Sequence, residues 1–185
     1  MRIIGGKFRG RNIKQPEFET TRPTKDRIRE AVFNIIAEKV PASSALDIFA
    51  GSGAYGMEAL SRGAEKCVFV EKNRLCAVAI KENVKALGLE EYARIITKDA
   101  FKAVELLGKG KNKEKFDLVF SDPPYNKSMS RKTLIMINHY DILNPSGLLI
   151  IEHSTGESLP EAEGHVSLCK QKTYGDICIS VFLRK

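Results

Sequence analysis

One stretch of this chain, Leu46 to Gly56, constrains the fold more than any other. It begins with apolar residues that favour a strand, contains three glycines within six residues, and continues into a helical pattern from Met57 to Arg62. Glycine has no Cβ and adopts positive φ easily, so the backbone can turn tightly and approach a ligand closely. A helix start also leaves backbone N–H groups unpaired there. The Gly-x-Gly-x-x-Gly pattern of 51–56 favours a nucleotide-like ligand, although a tight strand-to-helix turn alone would also explain it.

Strands and helices alternate through the middle of the chain. The sequence predicts strands near 44–49, 67–71, 93–97, 116–121 and 147–152, and helices near 54–62, 73–87, 99–107 and 130–140. This alternation predicts a parallel sheet with helices on both faces. Two further strands, 165–174 and 177–183, flank Gly175-Asp176 and predict a hairpin that closes one edge of the sheet antiparallel.

The first forty residues carry concentrated positive charge. The net charge of the whole chain is +7. Residues 1–14 contain five basic residues and no acidic one. The pattern predicts a short β-hairpin around Gly5-Gly6, then a loop, then a helix from its N-cap Thr24 to about Lys39. Phe8 lies among cations, where it could stack on a nucleic-acid base or pack against the protein. Four cations near the helix start oppose the helix dipole and predict an external anion: Arg22, Lys25, Arg27 and Arg29.

Composition excludes several classes of protein. The chain of 185 residues is 43% hydrophobic and 29% charged, which is typical of one globular domain. We find no apolar run of membrane-spanning length and no signal-peptide core, so we expect a cytoplasmic protein.

The four cysteines lack Cys-x-x-Cys spacing. Three of them, Cys67, Cys169 and Cys178, lie in apolar strand-like stretches, and we expect reduced core cysteines without a metal.

Acidic residues mark the ends of the predicted parallel strands. Asp47 lies at the end of the first strand beside the glycine turn, and Glu71 ends the second strand about twenty residues after the glycines. Glu71 is placed to accept hydrogen bonds from ribose hydroxyls, and Asp99, after the third strand, could accept one from an adenine amino group. Taken singly, Glu71 and Asp99 could instead be helix caps or acids of a first helical turn.

The fourth predicted parallel strand continues into Asp122-Pro-Pro-Tyr125. Consecutive prolines fix two φ angles and remove two amide donors, so the carbonyls there are rigidly presented. A carboxylate, rigid carbonyls and an aromatic ring side by side fit a planar exocyclic amine, which needs two acceptors and a stacking surface. A simple turn after the strand is the alternative.

Together these motifs resemble the class I S-adenosylmethionine-dependent methyltransferases that methylate amino nitrogens. Four further segments, 2–11, 22–34, 58–64 and 174–176, resemble the RsmD family, the 16S ribosomal RNA guanine-N2 methyltransferases. The resemblance runs nearly end to end and in order. The chain departs from the family's pattern at Tyr55, where an aliphatic residue is more usual, at Asn73, where an acid often stands, and at Ile177.

The resemblance implies a Rossmann-like α/β fold with a mostly parallel seven-stranded sheet and an antiparallel C-terminal hairpin. It implies one methyltransferase domain over 1–185, with 1–40 as a basic hairpin-and-helix extension and 41–185 as the cofactor-binding core. The implied cofactor is S-adenosylmethionine, with S-adenosylhomocysteine as product. The residues assigned to it are Asp47, Phe49, Gly51, Gly53, Glu71, Asp99, Ala100 and Asp122. The residues assigned to catalysis are Asp122, Pro123, Pro124 and Tyr125.

The implied reaction is direct methyl transfer to guanine N2. Asp122 and a proline carbonyl would hold the amine hydrogens while Tyr125 stacks on the base; the alternative role for Asp122 is that of a general base. RNA contacts are assigned to Lys7, Phe8, Arg9, Arg11, Arg22, Thr24 and Arg27. The expected partner is 16S ribosomal RNA in a small ribosomal subunit or its assembly intermediate, and the chain is expected to be a monomer without membrane contact.

Two alternatives of different class remain open. A DNA or other RNA amino-methyltransferase shares the logic of Asp122-Pro-Pro-Tyr125, although the chain has no room for a separate target-recognition domain. A non-catalytic RNA-binding assembly factor could keep the same fold, and a protein methyltransferase is a more distant possibility.

Overall fold

A central β-sheet organises the chain. The computed structural model describes residues 1–16, 23–111, 113–124 and 128–185, with the backbone alone for 23–25. Over these residues the sheet has eight strands in the order β3-β2-β1-β4-β5-β8-β7-β6. The strands are β1 (Ser44–Ile48), β2 (Lys66–Val70), β3 (Ala93–Ile96), β4 (Phe116–Ser121), β5 (Leu143–Ser154), β6 (Ala162–Glu163), β7 (Val166–Tyr174) and β8 (Ile177–Arg184).

The pairing changes from parallel to antiparallel once across the sheet, between β5 and β8. Strands β1 to β5 run parallel, and β8, β7 and β6 continue the sheet antiparallel from β5. The predicted α/β fold with an antiparallel C-terminal hairpin is therefore confirmed. The strand number was wrong: the sheet has eight strands rather than seven. The additional strand, β6, is only two residues long and pairs with β7 across Gly164, which has φ of 56°.

Helices cover both faces of the sheet. They are α1 (Pro23–Ile35), α2 (Ala54–Ser61), α3 (Arg74–Leu87), α4 (Ala100–Gly108) and α5 (Met129–His139). Helices α1, α2 and α3 bury residues such as Phe33, Met57 and Ile80 against one face. Helices α4 and α5 bury residues such as Val104 and Leu134 against the other. The carboxyl ends of the parallel strands therefore stay open between the helix starts.

The first helix differs in its bounds from the prediction. It begins at Pro23, one residue before the predicted N-cap Thr24, and proline suits a first helical position because its missing N–H would have no partner there. It ends at Ile35 rather than near Lys39, and a separate 3₁₀ turn, Ala37–Lys39, follows it. Its buried side chains are Ile28, Arg29, Val32 and Phe33.

The predicted N-terminal hairpin forms in short form within an arm, residues 1–16, that packs on α2. Arg2 and Asn12 form an antiparallel bridge, and the N–H groups of Ile3 and Ile13 donate to the carbonyls of Arg11 and Met1 on either side of it. The turn spans 5–10 rather than Gly5-Gly6 alone. The N–H groups of Ile4 and Gly5 each donate to the Glu58 carboxylate over 2.8 Å, so the cross-strand pairing does not extend to them. Gly6 permits this approach because its φ is 74° and a Cβ there would lie 1.9 Å from the Ser61 carbonyl oxygen. Ile3 and Ile13 are buried in the core.

Arg29 corrects the prediction that the cations near the α1 start face an external anion. Its side chain is buried, and it donates to Asp26 over 3.0 Å and to the Arg2 carbonyl over 2.7 Å. Its Nε also lies 3.7 Å from Glu58, which Arg62 contacts over 2.7 Å from the other side. The anions that Arg29 meets therefore belong to the protein itself.

Two smaller features complete the fold. Cys67, Cys76 and Cys178 are buried, but Cys169 is exposed, contrary to the expectation that it lies in the core. In its strand, β7, five consecutive residues from Cys169 to Thr173 are exposed, so a strand-like stretch there does not guarantee burial. In the described part of the chain, none of the helices has the length and apolar character needed to cross a membrane.

Candidate active site

The glycine turn links β1 to α2 at the centre of the sheet. Phe49, Gly51 and Gly53 all have positive φ, at 67°, 53° and 82°, so the chain reverses within five residues. The side chain of Asp47 fixes the turn from below, because its Oδ2 accepts a hydrogen bond from the N–H of Gly56 over 2.9 Å. The turn follows β1, whose neighbours in the sheet are β2 on one side and β4 on the other, so the strand order reverses there. Ligands usually bind at this point in open parallel sheets.

A cavity of about 670 Å³ opens at these strand ends. Nine of the sequence-predicted site residues line it: Asp47, Phe49, Gly51, Glu71, Asp99, Ala100, Asp122, Pro123 and Pro124. Gly53 does not line it. A Cβ at Gly53 would lie 3.2 Å from Ile80 and 3.3 Å from Phe69, so this glycine shapes the turn against the core rather than facing the cavity.

Glu71 connects the second strand end to the glycine turn. Its carboxylate is buried, and one oxygen accepts the N–H of Gly51 over 2.9 Å while the other accepts the N–H of Asn73 over 2.7 Å. A carboxylate offers about four lone-pair positions, so two backbone bonds do not exhaust its capacity. Glu71 therefore orders the turn and can also accept hydrogen bonds from a ligand in the cavity.

Asp99 follows β3 and caps α4. Its Oδ1 accepts hydrogen bonds from the N–H groups of Phe101 and Lys102. The alternative interpretation from the sequence, a helix cap, is thus present in the structure, and the carboxyl also lines the cavity. At the same end of the cavity, the ring of Phe49 meets that of Phe101 edge to face, with 5.8 Å between centroids.

Asp47 is a buried carboxyl of this cavity whose pKa is raised. Its side chain is 2% exposed. Burial raises the pKa of Asp47 from 3.8 to about 7; the N–H of Gly56 lowers it and the nearby Glu71 carboxylate raises it further. A cationic ligand beside Asp47 would favour its ionised form, so the site is electrostatically suited to positive charge.

The end of β4 places Asp122, Pro123 and Pro124 on the cavity wall. Asp122 is half-buried, Pro123 is buried and Pro124 is exposed. Tyr125, the predicted stacking residue, lies outside the described residues. The pKa of Tyr55 is raised well above its ordinary value. Burial is the largest cause, and the negative charges of Glu152 and then Asp122 raise it further.

Sequence reasoning missed several residues that line the cavity. Glu152 lies two residues before the end of β5 and is the last residue of the strand predicted at 147–152, so the strand-end rule that found the other acids would also have found it. Lys72 and Lys98 adjoin predicted acids, so their position follows from those of their neighbours. Met1 and Arg29 reach the cavity from the arm and α1, and no local pattern predicts that contact.

The predicted RNA contacts divide by exposure. Lys7, Arg9, Arg11 and Arg27 are exposed. Phe8 is partly buried and packs against the core, which is one of its two predicted roles, and the Lys7 ammonium lies 5.4 Å from its ring centroid. Stacking on a nucleic-acid base stays a prediction. Arg22 and the side chain of Thr24 lie outside the described residues.

Comparison with known proteins assigns the family. The family model described as "Conserved hypothetical protein 95" matches residues 1–183. The chain belongs to this family. It is the RsmD family that the sequence motifs resemble, and the resemblance is confirmed.

Individual relatives match over nearly their whole length. YlbH of Bacillus subtilis, a proposed rRNA methyltransferase, is 35% identical over 185 residues, which is 100% of both chains. The ribosomal RNA small subunit methyltransferase D of Haemophilus influenzae is 33% identical over 183 residues, covering 98% of this chain and 93% of that protein. The solved structure of yhhF from Escherichia coli, a proposed methyltransferase, superimposes with a TM-score of 0.88 at 31% identity, covering 100% of this chain and 98% of that one.

Proposed function

We propose that this chain transfers a methyl group from S-adenosylmethionine to the exocyclic N2 amine of a guanine in 16S ribosomal RNA. One observation carries the proposal: the glycine turn, Glu71 and Asp99 share a single cavity with Asp122-Pro-Pro124. The residues that we assign to the cofactor and those that we assign to the target amine thus line one cavity of about 670 Å³. The name of the Haemophilus relative, a small-subunit rRNA methyltransferase, supports the choice of ribosomal RNA.

The cavity residues fit the cofactor in charge and hydrogen bonding. When bound, the cofactor supplies an electrophilic methyl group on a positively charged sulfur. The carboxyls of Asp47, Glu71 and Asp122 on the cavity wall favour a cation. Glu71 accepts the ribose hydroxyls, while Asp99 and Ala100 adjoin the adenine. Phe49 and Gly51 line the part of the cavity that we assign to the cofactor. Gly53 allows the tight turn that holds them there.

Asp122 and the prolines orient the target amine. The lone pair of an aromatic amine is delocalised into its ring, so the amine needs positioning before it can attack. The carboxylate of Asp122 and a carbonyl of Pro123 or Pro124 accept its two hydrogens, which turns the lone pair towards the methyl group. Tyr125 stacks on the base. Most of the acceleration then comes from orientation rather than from proton transfer, and the base must leave its stack to enter.

The exposed cations of the arm and α1 supply RNA affinity. A single flipped base offers too little contact to select a target, so phosphate contacts elsewhere must contribute. Lys7, Arg9 and Arg11, hereafter the arm cations, are exposed on one short segment, and Arg27 is exposed on the neighbouring helix. We assign an RNA-binding role to Phe8, Arg22 and Thr24 as well. The substrate is a small ribosomal subunit or its assembly intermediate, and the enzyme acts as a cytoplasmic monomer.

The test is methyl transfer in vitro. Small ribosomal subunits and deproteinised 16S RNA, both from cells lacking the enzyme, are incubated with the purified chain and labelled S-adenosylmethionine. We expect incorporation into one guanine of the particle, mapped by mass spectrometry of nuclease fragments, and far less with the Asp122→Ala variant. Label in DNA instead would favour a DNA amino-methyltransferase. Particle and cofactor binding without any transfer would favour an assembly factor.

A further inference from the structure

Two carboxylates stand side by side at the ends of neighbouring strands. In the parallel pair β4–β5, Ser121 is in register with Ile151, so Asp122 and Glu152 each follow by one residue. Both line the cavity. Asp122 belongs to the amine site proposed above, whereas Glu152 has no role in it. The position of Glu152 calls for an explanation, because an acid only 4% exposed is costly to keep charged.

Tyr55 holds the carboxylate of Glu152 in place. The Tyr55 hydroxyl donates to Oε2 of Glu152 over 2.9 Å. The Tyr55 ring is itself fixed, because it stacks on Phe120 with 5.4 Å between centroids and faces Phe33 at 6.4 Å. The register of β4 and β5 brings Asp122 beside Glu152 on the cavity wall, and the charges of both carboxylates act on the Tyr55 hydroxyl. Tyr55 is also a position at which the chain departs from the family's usual pattern.

A pair of adjacent carboxylates matches the edge of guanine. That edge presents two neighbouring donors, the N1–H and the N2 amine, and ionised carboxylates only accept hydrogen bonds. Adenine presents a lone pair at N1, which a carboxylate would repel. Enzymes that handle a flipped base read this same edge by hydrogen bonding.

We propose that Glu152 selects the base: its carboxylate accepts the N1–H of guanine while Asp122 holds the N2 amine. This inference rests on the proposed function, since it names the residue that recognises the base in the same cavity. Tyr55 is a positioning residue, which acts through Glu152 and does not touch the substrate. A site built to hydrogen-bond a donor rejects an analogue without it by a large factor, because its own acceptor is then left unpaired.

The test uses 2-aminopurine, which keeps the N2 amine but has a lone pair at N1. RNA with guanine or 2-aminopurine at the mapped target is assembled into particles, and kcat/KM is measured for each. We expect the parent to prefer guanine by about 100-fold or more. In Glu152→Gln the amide can donate to the N1 lone pair, so this preference should fall at least tenfold, with cofactor affinity unchanged.

Two further variants separate selection from structure. Tyr55→Phe keeps the stacked ring and removes only the hydroxyl, so it should lower the guanine preference in the same direction by a smaller factor. Glu152→Asp keeps the charge but shortens the side chain, so it should slow guanine transfer without improving transfer to 2-aminopurine. Glu152→Asp also keeps the proposal testable if Glu152→Gln does not fold.

The outcomes distinguish this inference from the proposed function. If the parent transfers nothing to guanine, the proposed function is wrong. If the parent methylates guanine and a folded Glu152→Gln variant retains the parent's guanine-to-2-aminopurine ratio, base selection by Glu152 is overturned. Glu152 would then only satisfy the Tyr55 hydroxyl.

Discussion

Replacing Asp47 by Asn should make the stability of the cofactor-free protein less sensitive to pH. The carboxyl is 2% exposed, and burial raises its pKa to about 7 from 3.8. Between these two values the folded chain keeps a proton that the unfolded chain has lost. The stability contributed by this group is therefore present below pH 3.8 and is lost as the pH rises towards 7.

The magnitude follows from the two pKa values. One pKa unit corresponds to about 1.36 kcal/mol, so the raised pKa of Asp47 changes the free energy of unfolding by about 4 kcal/mol over the full titration. About 2.5 kcal/mol of this stability is lost between pH 5 and pH 8. Asn keeps an oxygen that can accept the N–H of Gly56, now 2.9 Å from Asp47, but it does not ionise. The free energy of unfolding of the variant, relative to the parent, should therefore rise by about 2–3 kcal/mol across that range.

The assay is urea unfolding at pH 5, 6, 7 and 8 without cofactor, analysed by linear extrapolation. Asp117→Asn is the matched control. Burial raises the pKa of Asp117, but hydrogen bonds from Ser44 and Asn144 outweigh it and the net pKa is lowered. Asp117 is thus ionised throughout the range, and its loss should cost the same stability at every pH. Parallel profiles for Asp47→Asn and the parent would refute the assignment of a raised pKa to Asp47.

The remaining predictions concern the proposed cofactor, amine and RNA contacts. Glu71→Ala should weaken cofactor binding by about 1–3 kcal/mol in calorimetry, and unchanged affinity would remove Glu71 from the site. Asp122→Ala should abolish most turnover while keeping cofactor affinity. Tyr125→Phe should be mild and Tyr125→Ala severe, and equal loss in both would refute stacking. Replacing the three arm cations by Ala should lower the slope of log affinity for the particle against log salt concentration by roughly two to three. Replacing the three lysines of loop 109–113 by Ala is the matched control and should leave this slope unchanged.

The periodic part of the fold could be predicted from the sequence because its signals are local. Alternating strand and helix patterns predicted the five parallel strands, and the parallel topology then predicted which acids share one edge. Glu71 and Asp99 follow from that rule alone. Glu152 follows from it equally well, and it was missed because no motif drew attention to the end of β5.

The packing of the N-terminal part could not be predicted because its partners are distant in sequence. Gly5 and Glu58 are 53 residues apart, and no local pattern indicates that a helix carboxylate will bind the N–H groups of the arm. The same distance hides the partner of Arg29. A cation near a helix start indicates an anion, but whether that anion is internal or external depends on tertiary packing, which a local charge pattern does not contain.

The backbone of the arm stabilises the fold, whereas we assign its exposed cations to RNA binding. The two roles therefore need separate tests. Its N–H groups bind Glu58, which also faces Arg29 on the cavity wall and Arg62 at the end of α2. Deleting the arm would remove those N–H donors, and leaving a buried acceptor without its hydrogen bonds typically costs about 1–3 kcal/mol, or more for a charged group. Lost activity would then report altered packing beside the cavity as much as lost RNA contact. The arm cations are exposed, so neutralising them keeps the backbone contacts and changes only the charge presented to RNA.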